Sequence, residues 1–183
     1  MSAILPTAYW APKRGFERYF DATAQLCVPE NIQIEVMESF PKQTYRNRCV
    51  IITPQGEELT LSVPVKKAGS KQLTRDVEIS NAAPWQHQHR YAILSAYKHT
   101  PYFDFYQDYI LPIYQKQYHF LLDLNNDTAY IATSLLNNCP PQNNYASRLA
   151  ATADWSGQNI DTCWGDGISI LDALFRFGPE TDV

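Results

Sequence analysis

A strand-like run at 45–53, a Pro54-Gln55-Gly56 turn, and a second run in which Leu59, Leu61, Val63 and Val65 recur at strict period two commit the middle of the chain to a β-hairpin. Successive side chains of a strand point to opposite faces, so the second run offers one apolar face and one polar face. Pro64 donates no ladder hydrogen bond, which confines that strand to a sheet edge or marks its end.

The hairpin is entered through 41–51, P-K-Q-T-Y-R-N-R-C-V-I. Lys42, Arg46 and Arg48 have the spacing of alternate strand residues, and three positive groups on one face suggest a site for an anion. Asn47 and Tyr45 then point the other way. Two other readings stand beside this one. The run is a solvated basic edge protected from aggregation by its charges, or it is paired with Glu30, Glu35 and Glu38 just upstream. Cys49, next to Arg48, has the charge environment of a nucleophile; it faces away from Arg48, and a buried inert thiol is the preferred reading.

Before the hairpin, a short apolar strand at 3–5 stops at Pro6, a proline-aromatic loop carries Tyr9 and Trp10, and 13–22 has helical spacing. Such a loop opens at the carboxyl end of its strand, where ligands of open α/β sheets are held. Its two aromatics are either exposed binding groups or a lid folded onto the core. Strands are expected at 25–28 and within 31–40. After the hairpin come a basic loop at 66–71, a short strand at 77–80, and a helix running to Tyr97 with Asn81 as its cap and Pro84 in its first turn.

On that helix Trp85, His89, Ala92, Ile93, Ala96 and Tyr97 form the apolar stripe, while His87, Arg90, Tyr91 and Leu94 fall on an adjoining face. Residues two apart on a helix are separated by about 200°, so His87 and His89 do not chelate one ion and no metal site is expected. Asp104 and Asp108 lie one helical turn apart among Tyr102, Phe103, Phe105, Tyr106 and Tyr109. They are candidates for acid–base chemistry, although Asp104 also suits a helix N-terminus. Helices are expected at 111–124 and 127–136 with Asn125-Asn126 as the turn between them, then a long loop or lid at 137–167. A final apolar helix follows from 168 and ends at Gly178-Pro179. The fold class is therefore α/β or α+β: a mixed sheet with an N-terminal strand-loop-helix, a central hairpin and a mostly helical C-terminal half. At 183 residues it is read as one domain, 1–183.

A net charge of -4 and a pI near 5.5 argue against nucleic-acid binding, which needs a basic field. The N-terminus has no signal-peptide pattern and no stretch approaches the roughly 18 apolar residues of a membrane span, so no membrane association and a cytoplasmic location are expected. Cys27, Cys49, Cys139 and Cys163 form no C-x-x-C pair, leaving reduced thiols as the default. The 12 Tyr, 8 Phe and 4 Trp exceed what a plain core requires and suggest an aromatic-lined cleft or a partner surface.

In that order, L-P-T-A-Y-W-A-P at 5–12, K-Q-T-Y-R-N-R-C-V-I at 42–51, L-S-V-P-V at 61–65, W-Q-H-Q-H at 85–89, S-A-Y-K-H-T-P-Y-F-D-F-Y at 95–106 and S-I-L-D-A-L-F at 169–175 resemble the WbqC-like family over 5–180. The resemblance implies a bacterial protein linked with surface-polysaccharide or O-antigen gene clusters, acting on nucleotide-linked or lipid-linked sugars. It implies site residues Tyr9; Lys42, Arg46, Asn47 and Arg48; and His87, Tyr97, Tyr102 and Asp104. The chain departs from the family pattern at Leu5 and at Glu30-Asn31, where relatives carry a Gln and an Asp pair.

Three functions compete, the last of them a purely structural domain in which Arg46 and Arg48 are saturated by Glu30, Glu35 or Glu38. In the first, a transferase-type enzyme clamps the phosphate or carboxylate of an activated sugar with Lys42, Arg46 and Arg48, uses His87 or Asp104 as general base, and stacks Tyr9, Trp10 and Tyr102 on the sugar or base. In the second, a non-catalytic protein binds the same small anionic or sugar-linked ligand, or a partner enzyme of the pathway. The residues name no cofactor.

Overall fold

The computed structural model describes residues 3–15, 32–41, 44–67, 72–136 and 167–179. In chain order they form β1 (Ala3–Pro6), β2 (Ile32–Glu35), β3 (Arg48–Ile52), β4 (Glu58–Ser62), a 3-10 turn (Thr74–Asp76), α1 (Trp85–Tyr97), α2 (Phe103–Ile110), a second 3-10 turn (Leu111–Tyr114), α3 (Leu121–Leu136) and α4 (Ile170–Phe177). The fold is mixed α and β, with strands before helices, as the sequence pattern predicts. β1 and β2 pair in parallel, Ala3 opposite Ile32 and Pro6 opposite Glu35. Parallel neighbours need a long crossover between them.

The hairpin forms where its period-two pattern requires. Arg48 stands opposite Ser62 and Ile52 opposite Glu58, and Cys49, Ile51, Leu61 and Val63 are buried. The turn closes through the Thr53 N–H on the Glu57 carbonyl at 2.8 Å and the Gly56 N–H on the Thr53 carbonyl at 2.9 Å. Gly56 takes φ 85°, which a residue without Cβ adopts at little cost.

Local geometry trims several expected elements. The first hairpin strand begins at Arg48 rather than 45, because the Asn47 N–H bonds the Thr44 carbonyl at 3.2 Å and makes 44–47 a turn. Past Pro64 the chain leaves the ladder, and Val65 pairs instead with Ile79 in an isolated bridge, so 77–80 contributes bridges and not a strand. Asn81 does not cap α1: Pro84 holds the cap position, and the Asn81 side-chain oxygen accepts the Trp85 indole N–H at 3.1 Å.

The largest correction falls in the C-terminal half. Residues 111–114 form only a 3-10 turn, and α3 runs unbroken through Asn125 and Asn126, both buried. Asn is a poor helix former in isolation, but here Asn125 Nδ2 donates to the Arg46 carbonyl at 2.7 Å, and that tertiary bond outweighs a propensity difference of under about 1 kcal/mol.

Trp85, His89, Ile93 and Tyr97 form the buried stripe of α1. They meet Ile51 of β3, Ile110 of α2, Leu121 and Leu124 of α3, and Leu174 and Phe175 of α4 in one core. Each such large apolar side chain contributes about 2 kcal/mol by leaving water. Tyr97 stacks on Phe175 with ring centroids 5.0 Å apart. The two ends of the chain are joined beside the hairpin: the Ser169 N–H bonds the Val50 carbonyl at 2.8 Å, and the Ile170 N–H bonds the Ala11 carbonyl at 2.9 Å.

The strand expected at 25–28, most of the helix expected at 13–22, Lys42, and residues 137–166 of the expected lid lie outside the described residues. Among the described residues no helix is long and apolar enough to cross a membrane.

Candidate functional site

Both strands of the parallel pair deliver their chain to one place. From the end of β1 the backbone passes through buried Thr7 and Ala8 to Tyr9, whose N–H bonds the Tyr45 carbonyl at 2.8 Å. From the end of β2 it passes to Glu38, whose Oε1 receives Arg46 Nε at 2.5 Å. The carboxyl edge of the β1–β2 pair is therefore closed by the 44–47 turn, and this edge is where α/β folds hold ligands.

Arg46 and Arg48 do not share a strand face, as their spacing suggested. Arg46 lies in the turn with its side chain only 4% exposed and occupied by Glu38, while Arg48 opens β3. The pairing with upstream glutamate thus holds for Arg46. It does not extend to Arg48, whose Nε is enclosed without a hydrogen-bond partner among the described residues. Asn47, between the two arginines, anchors its Nδ2 on the Val63 carbonyl at 3.0 Å and leaves Oδ1 enclosed and unpartnered. Each such enclosed group left unmet costs about 1–3 kcal/mol, so native proteins rarely keep one idle.

Tyr9 and Trp10 do not form an exposed stacking platform; they are 0% and 1% exposed. The loop turns inward at Trp10, which takes φ 42°. Tyr9 Oη bonds His89 Nδ1 at 2.9 Å and Tyr114 Oη at 2.7 Å, and Trp10 Nε1 donates to Tyr114 Oη at 2.9 Å. Burial makes this layer inert to proton exchange near neutrality: it lowers His89 to about 4, against a hydrogen bond to the Ser62 backbone that acts the other way. It raises the phenols of Tyr9 and Tyr114 and the thiol of Cys49 well above their ordinary ranges. The layer is a rigid floor beneath the turn.

The remaining candidates lie elsewhere. Tyr97 donates to Asp172 Oδ1 at 3.1 Å and accepts the Ile52 N–H at 3.3 Å, and Arg176 Nε completes the group on Asp172 at 2.7 Å. Burial, with the neighbouring Asp172 carboxylate adding to it, raises the Tyr97 phenol. Tyr102 stacks on Tyr106 with centroids 6.1 Å apart and bonds through its N–H to the Phe175 carbonyl at 3.2 Å. Tyr97 and Tyr102 therefore meet around α4. Asp104 is exposed in the first turn of α2 and accepts Gln107 Nε2 at 3.2 Å. His87 is exposed in the first turn of α1, with about 15 Å of helix between it and Tyr97.

Glu35 received little weight in the sequence, where it was one of three possible salt-bridge partners. Its Oε1 accepts the Met37 N–H at 2.6 Å, and its Oε2 is buried and unpartnered among the described residues. No periodicity announces such a group; a glutamate closing an apolar strand is the available signal. Among the described residues no group of three or more His, Cys, Asp or Glu side chains could hold a metal ion.

A family model described as "WbqC-like protein family" matches residues 9–163. No curated protein and no solved structure matches the chain.

Proposed function

The chain belongs to the WbqC-like protein family, and from that premise we propose that it is a cytoplasmic, transferase-type enzyme acting on an activated, phosphate-bearing sugar in surface-polysaccharide biosynthesis. The anion is received at the 44–48 turn. The observation that carries this reading is the enclosed Nε of Arg48, unpartnered among the described residues, together with the likewise unpartnered Oδ1 of its sequence neighbour Asn47. A phosphate oxygen satisfies the guanidinium in the geometry it favours, and a sugar hydroxyl satisfies the amide oxygen. Arg46, held by Glu38, supplies shape and positive charge rather than a free donor. Lys42, two residues before the turn begins, is a further candidate for the same anion.

One observation favours a second reading, a non-catalytic protein that holds the same ligand. The titratable groups of the floor, His89, Tyr9 and Tyr114, are all displaced away from neutrality. Turnover of a nucleotide sugar by purified protein separates the two.

The test of the anion site is a thermal-shift titration with glucose-1-phosphate and with nucleotide sugars, run on the parent and on Arg48→Met, which keeps the apolar stem and removes the donor. A ligand that binds the folded state raises the midpoint by mass action. The expected result is a shift in the parent that Arg48→Met loses. Equal shifts in both proteins, or none in the parent, overturn the reading.

A further inference from the structure

We infer that Glu35 is the selectivity residue of this site and receives an amino group, so that the ligand is an amino sugar and not a neutral one. The inference rests on the sugar-phosphate reading above and names the sugar class. Glu35 is 1% exposed, closes β2 opposite Pro6, and uses only one carboxylate oxygen, Oε1 on the Met37 N–H. Its Oε2 is buried with no donor among the described residues. Among the described residues, Arg46 is held by Glu38, and Arg75, whose N–H bonds the Val36 carbonyl at 3.1 Å, contacts Asp76 and the Met37 sulfur. A carboxylate enclosed without a counter-charge is among the least favourable arrangements a core contains.

The position matters as much as the vacancy of bonds. Glu35 is three residues before Glu38, which grips Arg46, and at most about 10 Å of extended chain separates them. Pro6, its neighbour in the parallel pair, is three residues before Tyr9, which is bonded to Tyr45. Glu35 is thus joined along the chain, through both strand exits, to the 44–47 turn that Arg48 follows. An acceptor on the strand side and a donor on the turn side match a molecule that is cationic at one end and anionic at the other. An ammonium group satisfies Oε2 and supplies charge; a hydroxyl satisfies it without charge; an N-acetyl group adds bulk and removes the charge.

The experiment measures binding of glucosamine-1-phosphate, N-acetylglucosamine-1-phosphate, glucose-1-phosphate and free glucosamine by calorimetry to the parent, Glu35→Gln and Arg48→Met. In the parent, glucosamine-1-phosphate is expected to bind about tenfold or more tightly than the other two phosphates, the size of one hydrogen bond to a charged group. Glu35→Gln should bring the three phosphates within about twofold of one another, while Arg48→Met should weaken all three. No preference for the amine in the parent overturns the inference, whether or not the variant folds, and so does a preference that survives Glu35→Gln. Free glucosamine binding to the parent and not to Glu35→Gln, with no phosphate bound by either, sustains Glu35 and sinks the anion reading instead.

Discussion

Ser169 Oγ donates to the Trp10 carbonyl at 2.9 Å and accepts the Leu171 N–H at 3.2 Å, so one hydroxyl caps α4 and fastens it to the N-terminal loop. Ser169→Ala removes the cap and leaves a buried carbonyl without that donor. The expected loss is about 2 kcal/mol, combining cap and unmet-acceptor terms. It should appear in urea unfolding as a lower midpoint at unchanged slope.

His89 makes stability depend on pH in a defined direction. Its ordinary value is 6.5 and burial lowers it to about 4 in the folded protein. Between those values the unfolded chain binds more protons at this site than the folded one, so the site's contribution to stability falls as pH drops from about 6.5 toward 4. The full difference is on the order of 3 kcal/mol. Urea midpoints taken from pH 7 to pH 4 should fall more steeply in the parent than in His89→Gln; parallel curves would contradict this account.

The Glu38–Arg46 pair is enclosed, at 12% and 4% side-chain exposure. Removing either partner strands the other charge, and Arg46→Ala or Glu38→Ala should each cost about 3–5 kcal/mol. The double variant is expected to lose less than the sum, because neither charge is then left alone. Additive losses in a double-mutant cycle would show that the two groups do not act together.

Gly178 ends α4 at φ 69° and ψ -153°, and a Cβ there would stand 2.5 Å from Tyr102 Cε1. Gly178→Ala meets both a backbone region that side chains rarely adopt and the face of an aromatic ring, so a loss of about 2 kcal/mol or more is expected in thermal unfolding. Tyr102→Ala in the same chain should recover only the steric part.

The sequence discloses what repeats along it. The hairpin follows from alternation in 59–65, α1 from the four-residue spacing of Trp85, His89, Ile93 and Tyr97, and the end of α4 from Gly178-Pro179. It conceals what depends on a distant partner. Asn125 reads as a turn residue until the Arg46 carbonyl stands beside it. Arg46 and Arg48 read as one strand face until the Thr44–Asn47 bond closes a turn between them and a glutamate claims the first. Tyr9 and Trp10 look like loop aromatics because nothing local announces φ 42° at Trp10, which turns the loop inward onto Tyr114. The candidate site was legible as a cluster of charge, and illegible in which of its charges are already neutralised.

The clasp between Trp10 and Ser169 joins residues 159 apart in sequence, and it has a consequence for the order of assembly. A chain made N-terminus first completes the hairpin, α1 and α2 while the partner of the Trp10 carbonyl is still unsynthesised. The clasp on the Trp10 carbonyl must therefore await the segment that carries Ser169. Long-range closure of this kind slows folding and lengthens the time during which apolar surface is uncovered, so refolding of the finished chain should be slow relative to formation of its helices.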